Sequence, residues 1–197
     1  MVSKISTDPK YTEAIEKLLA VMQMTLKGTP FVYQGDEMGL VNYVFESPDE
    51  PTDVEAKGYV AELREKGKSE EEILKTINAG TREHTRILLP WNEYPEDMRE
   101  GLRQEINENI TKTYKDLIAL RKNDKTLVYG DFEIINDKKD RFVYSRTLNG
   151  TTYVIDCNLG KKNQKAYIPE GYKAVYLSKN EICHELRPYE ARIWKKL

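Results

Sequence analysis

Beyond about Asn123 the hydrophobic period of this chain changes from that of a helix to that of a strand, and no other feature constrains the fold as much. Before that point apolar residues recur at helical spacing, as in Ile15, Leu18, Leu19, Met22 and Leu26, or Ile106, Ile110, Tyr114, Leu117, Ile118 and Leu120. After it, Asp131 to Ile135, Arg141 to Thr147, Thr151 to Cys157, Lys165 to Ile168, Lys173 to Leu177 and Ala191 to Lys195 alternate or cluster β-branched and aromatic residues between turn signals. Asn149-Gly150 predicts a hairpin, because both residues tolerate the positive φ that a two-residue turn requires. The second part thus reads as an antiparallel β-sandwich of roughly 70 residues.

In the first part, Asp8 as N-cap and Pro9 at the first helical position open a helix that Gly28 stops. The run Gly28-Thr29-Pro30-Phe31-Val32-Tyr33-Gln34-Gly35-Asp36-Glu37-Met38-Gly39 follows. From Pro30 to Gln34 it shows no polar alternation, which predicts a short strand covered on both faces, as in a parallel sheet wrapped by helices. Pro30 has no N–H for a ladder and fits only the first position of such a strand. Gly35, Asp36, Glu37 and Gly39 then make a tight polar loop at the carboxyl end, where α/β enzymes place their ligands. The plain alternative is a glycine turn with capping carboxylates.

Residues 40 to about 102 form a polar excursion too long to be structureless in a compact domain. Asp53 to Arg64 predicts a short helix ending near Gly67, and Ser69-Glu70-Glu71-Glu72 is a capping box opening another through Ile73, Leu74 and Ile77 to Gly80. Three successive carboxylates point in different directions around a helix, so the triplet reads as a helix start rather than a metal site. Thr81 to Trp91 then gathers Arg82, His84, Arg86 and Trp91. Such a cluster is either a place for chemistry or a surface network in which arginines anchor loops to carboxylates. A further amphipathic helix runs from Gln104 to Lys122, its basic end matched to the helix dipole.

Composition removes several function classes. The chain has 197 residues, with 31 basic and 33 acidic side chains spread along it for a net charge of −2, so a nucleic-acid or membrane-surface footprint has no support. Most of the 13 tyrosines alternate with aliphatic residues in the second half, the pattern of half-buried strands rather than of a stacking surface. Cys157 and Cys183 form no disulfide framework and have no metal-ligand spacing, which fits a reducing, cytoplasmic setting. The N-terminus has no apolar core of signal-peptide length and no run approaches a membrane span. No cofactor and no metal site are expected.

Gly28 to Glu37 resembles the segment around the eighth barrel strand of glycoside hydrolase family 13, closest to its oligo-1,6-glucosidase and α-glucosidase branch. Four further segments agree in order and spacing. Ser69 to Gly80 with Arg82, Glu83, Arg86 and Trp91 is similar to that branch's insertion after strand eight, and Tyr114 to Lys122 to its last barrel helix. Leu127-Val128-Tyr129-Gly130-Asp131-Phe132 is similar to the entry into its C-terminal β-domain, and Leu186 to Ala191 to its closing strand. The resemblance covers nearly the whole chain and implies an α+β fragment. Residues 1–123 would be the last strand-helix portion of a (β/α)8 barrel with the long loop after strand eight, and 124–197 the C-terminal all-β domain.

The resemblance also implies what each site residue would do. The family's nucleophilic aspartate, acid/base glutamate and stabilising aspartate follow strands four, five and seven, and all three would lie before Met1, so no catalytic residue is assigned. A retaining glycosidase needs two carboxylates about 5 Å apart, and the adjacent Asp36 and Glu37 are poor candidates for that pair. With Gln34 they would instead support the floor of the sugar pocket. Arg86, ahead of Arg82, would reach hydroxyls of the glucose being cleaved, its planar fork suiting paired oxygen acceptors. The family follows this arginine with Thr-Pro-Met-Gln-Trp, whereas this chain has Ile87-Leu88-Leu89-Pro90-Trp91. His184 is expected to be a surface or strand residue of the β-domain.

Three readings follow. In the first, the chain is the C-terminal part of an α-glucosidase acting on short α-glucooligosaccharides, inactive by itself. In the second it is a non-catalytic carbohydrate-binding module. The third is an assembly module that pairs through the strand Pro30 to Gln34 with the missing N-terminal barrel portion or with itself.

Overall fold

The helices begin where the side chains that cap them stand. The computed structural model describes residues 2–91, 93–179 and 181–197; Met1, Asn92 and Asn180 lie outside it. A short helix α1 (Val2–Ile5) comes first. Asp8 then accepts a hydrogen bond from the Lys10 N–H at 3.2 Å and opens a 3-10 turn, Pro9–Tyr11, that leads into α2 (Thr12–Thr25). Asp53 caps α3 (Val54–Glu65) by accepting from the Glu55 N–H at 3.0 Å, and Gly67, at φ +73°, turns the chain out of it. The capping box at α4 (Glu70–Ala79) is complete: Ser69 Oγ accepts from the Glu72 N–H at 3.2 Å, and Glu72 Oε2 accepts from the Ser69 N–H at 3.1 Å. Helices α5 (Glu108–Asn123) and α6 (Thr126–Tyr129) precede the strands.

The strands are β1 (Asp131–Asn136), β2 (Arg141–Leu148), β3 (Thr151–Asn158), β4 (Gln164–Lys165), β5 (Tyr172–Leu177), β6 (Glu185–Leu186) and β7 (Ala191–Lys196). They form an antiparallel five-stranded sheet in the order β1-β2-β3-β7-β5 and a two-stranded sheet β4-β6. The β2-β3 turn is the expected one, with Asn149 at φ +49° and Gly150 at φ +83°.

Packing divides the chain into two units. The first comprises the residues up to Thr7 together with Met38–Asn107. Its core is Tyr43, Phe45, Val60, Ile73 and Ile77, with Leu63, Leu74, Ile87, Met98 and Leu102 against it. The second comprises Asp8–Glu37 and Glu108–Leu197. There, register places Tyr144, Ile155 and Ile193 side by side on one face of the sheet, all fully buried. Helix α2 meets this face through Thr25 Oγ1, 2.6 Å from the Tyr144 hydroxyl. Helix α5 meets the sheet through Thr113 Oγ1, which accepts from the Tyr176 hydroxyl at 3.2 Å. The opposite face holds Val143, Val154 and Trp194 beside Tyr172 and Ala174. This packing division differs from the expected boundary at residue 123, because α2 and α5 share one unit with the β-strands.

Three expected elements differ. Pro30 to Gln34 is not a buried strand: Phe31 is 85% exposed, Tyr33 52% and Val32 38%, and the segment joins neither sheet. A strand exists only through a neighbour that takes its N–H and C=O groups, and no such strand lies beside it among the described residues. Of Lys165 to Ile168, only Lys165 is in a strand, because the Tyr167 N–H is taken at 2.7 Å by a side chain, Asp156 Oδ2. The helix expected from Gln104 starts at Glu108. Gln104 acts instead as a surrogate backbone, accepting from Val41 N–H at 2.8 Å and donating to Val41 O at 2.7 Å.

Candidate functional site

In the first unit the loop that carries the two candidate arginines is organised around Asp53. The carboxylate that caps α3 also takes Arg82 Nε at 3.1 Å and Arg86 Nη1 at 2.6 Å, and its side chain is only 5% exposed. Arg82 reaches on to Glu55 at 2.9 Å. The Arg82 guanidinium holds the Asp53 carboxyl below the usual carboxylate range. Glu83 faces the other way along the same turn, accepting from Thr52 N–H at 2.9 Å and Thr52 Oγ1 at 2.9 Å. The 3-10 turn Arg82–Thr85 is thereby fastened to the residues that start α3. Arg86 keeps its side chain 57% exposed, and Trp91 is 65% exposed.

His84 is no part of that polar surface. It is buried, stacks on Phe45 with ring centroids 5.4 Å apart, and donates from Nε2 to the Ile77 carbonyl at 3.0 Å. Burial lowers its pKa from the ordinary value, which makes it a neutral core side chain rather than a proton donor for chemistry.

In the second unit, Gln34, Asp36 and Glu37 lie on one turn. Gly35 at φ +95° lets the chain reverse, the Asp36 N–H donates to Tyr33 O at 3.0 Å, and residues Asp36–Met38 form a single 3-10 turn. Glu37 closes this turn with its own side chain, Oε2 accepting from the Gly35 N–H at 2.9 Å. Its main-chain oxygen is held by Thr111 Oγ1 of α5 at 3.0 Å. Gln34 and Asp36 are exposed. Exposed as that residue is, its carboxyl titrates above the ordinary aspartate value, chiefly through desolvation of the carboxyl group. The Glu37 carboxylate is thus committed to a backbone amide of its own turn.

His184 is exposed, next to the two-residue strand β6. Cys157 is buried and both cysteines are free thiols. Among the described residues no group of three or more His, Cys, Asp or Glu is arranged to hold a metal ion. No described helix is long and apolar enough to cross a membrane.

The residue that sequence reasoning missed is Asp53. Its position before an amphipathic run marked the start of a helix, but the arginines it receives are 29 and 33 residues away, and no local signal links them. The alternative in which arginines anchor a loop to carboxylates describes what these two side chains do in the structure.

Compared with known proteins, residues 1–130 match the family model described as Alpha amylase, catalytic domain. The chain is 30% identical over 224 residues to the oligo-1,6-glucosidase of Bacillus cereus, across 99% of this chain and 40% of that protein. It is 29% identical to the glucan 1,6-alpha-glucosidase of Streptococcus pneumoniae serotype 4, across 90% of this chain and 36% of that protein. Among solved structures, trehalose-6-phosphate hydrolase of Bacillus licheniformis superposes with a TM-score of 0.86 at 26% identity, over 98% of this chain and 40% of that one. The chain therefore spans about 40% of the length of the curated relatives it matches.

Proposed function

Since the chain belongs to the alpha-amylase family, we propose that it supplies the C-terminal part of an α-glucosidase acting on short α-glucooligosaccharides by a retaining mechanism. The observation that carries this reading is the similarity across 99% of the chain to a protein named for oligo-1,6-glucosidase activity. In this reading 1–123 is the last portion of the (β/α)8 barrel and 124–197 is the C-terminal β-sandwich. The cytoplasmic setting is part of the same proposal and draws support from the two free cysteines.

Each site residue then has a physical task. Arg86 hydrogen-bonds glucose hydroxyls with the guanidinium edge that Asp53 does not hold, and Arg82 steadies the loop from the other side of the same carboxylate. Asp53 acts as a positioning residue: it fixes one nitrogen of Arg86 and leaves the rest of the fork to the sugar. In the second unit, Asp36, Glu37 and Gln34 act as supports, through the shape of the turn that they form. None of these residues supplies the two carboxyl groups, about 5 Å apart, that a retaining glycosidase requires, so the chain alone does not turn over substrate.

The second reading, a carbohydrate-binding or assembly module, is favoured by one observation, the exposed apolar run Phe31-Val32-Tyr33. Calorimetric titration with isomaltooligosaccharides and maltodextrin separates the two. An incomplete glucosidase site gives no heat at millimolar sugar, whereas a saturable heat marks a binding module.

A further inference from the structure

Helix α4 and the segment Tyr43–Phe45 make a closed seat for one side chain of the arginine turn, His84, which is 8% exposed. Phe45 is fixed in that seat by Asn78, which accepts from the Phe45 N–H at 2.8 Å and donates to the Phe45 carbonyl at 2.9 Å. The His84 ring lies on Phe45 with centroids 5.4 Å apart and planes 27° from parallel, and its Nε2 reaches the Ile77 carbonyl at 3.0 Å. A carbonyl can only accept, so Nε2 carries the hydrogen and Nδ1 the lone pair. Nδ1 is buried and has no hydrogen-bond partner among the described residues. A proton added there creates an N–H where no acceptor stands and a charge out of reach of water.

The charges around the ring do not remedy this. From its own turn comes Glu83, which favours a charged ring, but its carboxylate is bound to Thr52. Arg82 and Arg86, on either side, are cations held by Asp53. Helix α4 offers its main chain at Ile77 and Asn78, while its Lys75 and the Glu70–Glu72 triplet are exposed. The segment under the ring brings the Tyr43 phenol, whose oxygen accepts from the Leu88 N–H at 2.9 Å, and Phe45, whose face attracts a cation but cannot take up an N–H in the plane of the stacked imidazole. The positive amino terminus opposes a charged ring.

We propose that His84 is an acid-released pin for the turn Arg82–Thr85: neutral, its ring seats the turn on Phe45 and Ile77; protonated at Nδ1, the ring leaves that seat and the turn, with Arg86 next to it, loses its attachment to the core. The coupling is short. The His84 N–H donates to Thr81 O at 3.2 Å and the Arg86 N–H to Glu83 O at 2.9 Å, so ring and guanidinium share one hydrogen-bonded turn. What remains after release is the pairing of two half-exposed arginines with Asp53 and of Glu83 with Thr52, surface contacts that hold a turn weakly. Burial, which lowers the His84 pKa, gives the direction. A released ring titrates near about 6.5 and the seated one below it, so the seated turn is favoured in full above the first value, and that advantage is lost as pH falls through the second. This inference stands apart from the sugar reading, because it concerns how the turn is held and not what Arg86 contacts.

The experiment is an NMR titration of the His84 ring in the whole chain, with amide hydrogen exchange at His84 and Arg86 corrected for the intrinsic rate. The chain has 2 histidines, and His184→Asn leaves His84 as the single imidazole signal. The expected result is a His84 midpoint below about 6.5, with the opening equilibrium of the two amides rising by up to about tenfold for each pH unit between that value and the midpoint. In His84→Gln, which keeps a donor for the Ile77 carbonyl and takes up no proton, that rise is absent. A midpoint at or above about 6.5, exchange at Arg86 that stays level through the His84 titration, or an equal rise in His84→Gln overturns the proposal. The ring titration needs no substitution at position 84, so the proposal stays testable if His84→Gln does not fold.

Discussion

Arg146 and Arg121 do by hydrogen bonding what buried arginines usually do by ion pairing. Arg146 is 0% exposed, and its guanidinium donates to the carbonyls of Thr25 at 2.6 Å, Leu127 at 2.9 Å and Gly130 at 2.9 Å. Arg121 donates to Met24 at 2.8 Å, Leu127 at 2.6 Å and Gly28 at 2.7 Å. Met24 and Thr25 end α2, so these charges sit on carbonyls that the helix cannot satisfy and against the negative end of its dipole. From sequence, Arg121 was readable only as the basic end of its own helix. Its partners across the fold were not, because a guanidinium that binds main-chain oxygens leaves no complementary residue type to find. Arg146→Met is expected to lower stability by about 3 kcal/mol, since several buried acceptors lose their donor at once. Arg146→Lys is expected to recover little of it, because one ammonium cannot span the fork's acceptors. Urea denaturation followed by circular dichroism measures both.

At the scale of elements, legibility followed how local the determining contacts are. The Ser69–Glu72 capping box and the Asn149-Gly150 turn are set by residues a few positions apart, and both stand where expected. Ser69→Ala is therefore predicted to cost about 1 kcal/mol and to fray the first turn of α4, read from the unfolding midpoint and from amide exchange at Ile73. The run Pro30 to Gln34 has strand composition, but composition specifies a strand only where another strand accepts its ladder, and here Phe31 points into solvent. The segment from Gln104 to Asn107 has helical periodicity, yet the Gln104 amide pairs with Val41 and delays the helix. In both cases a distant partner, present or absent, overrode a local preference.

For the whole molecule, family membership rests on residues 1–130, and the spacing of five sequence segments had already pointed there. The arginine cluster is legible in part: Arg82 and Arg86 stand out in the sequence, while Asp53, which joins them, does not. The proposed chemistry is carried by the similarity to a protein named for oligo-1,6-glucosidase activity. Glucose release from isomaltose and from a chromogenic α-glucoside by the purified chain measures whether these 197 residues turn over substrate by themselves. No release above the buffer rate is predicted. Sustained turnover that disappears with Asp36→Asn or Glu37→Gln would contradict it, because those side chains would then be the catalytic carboxylates.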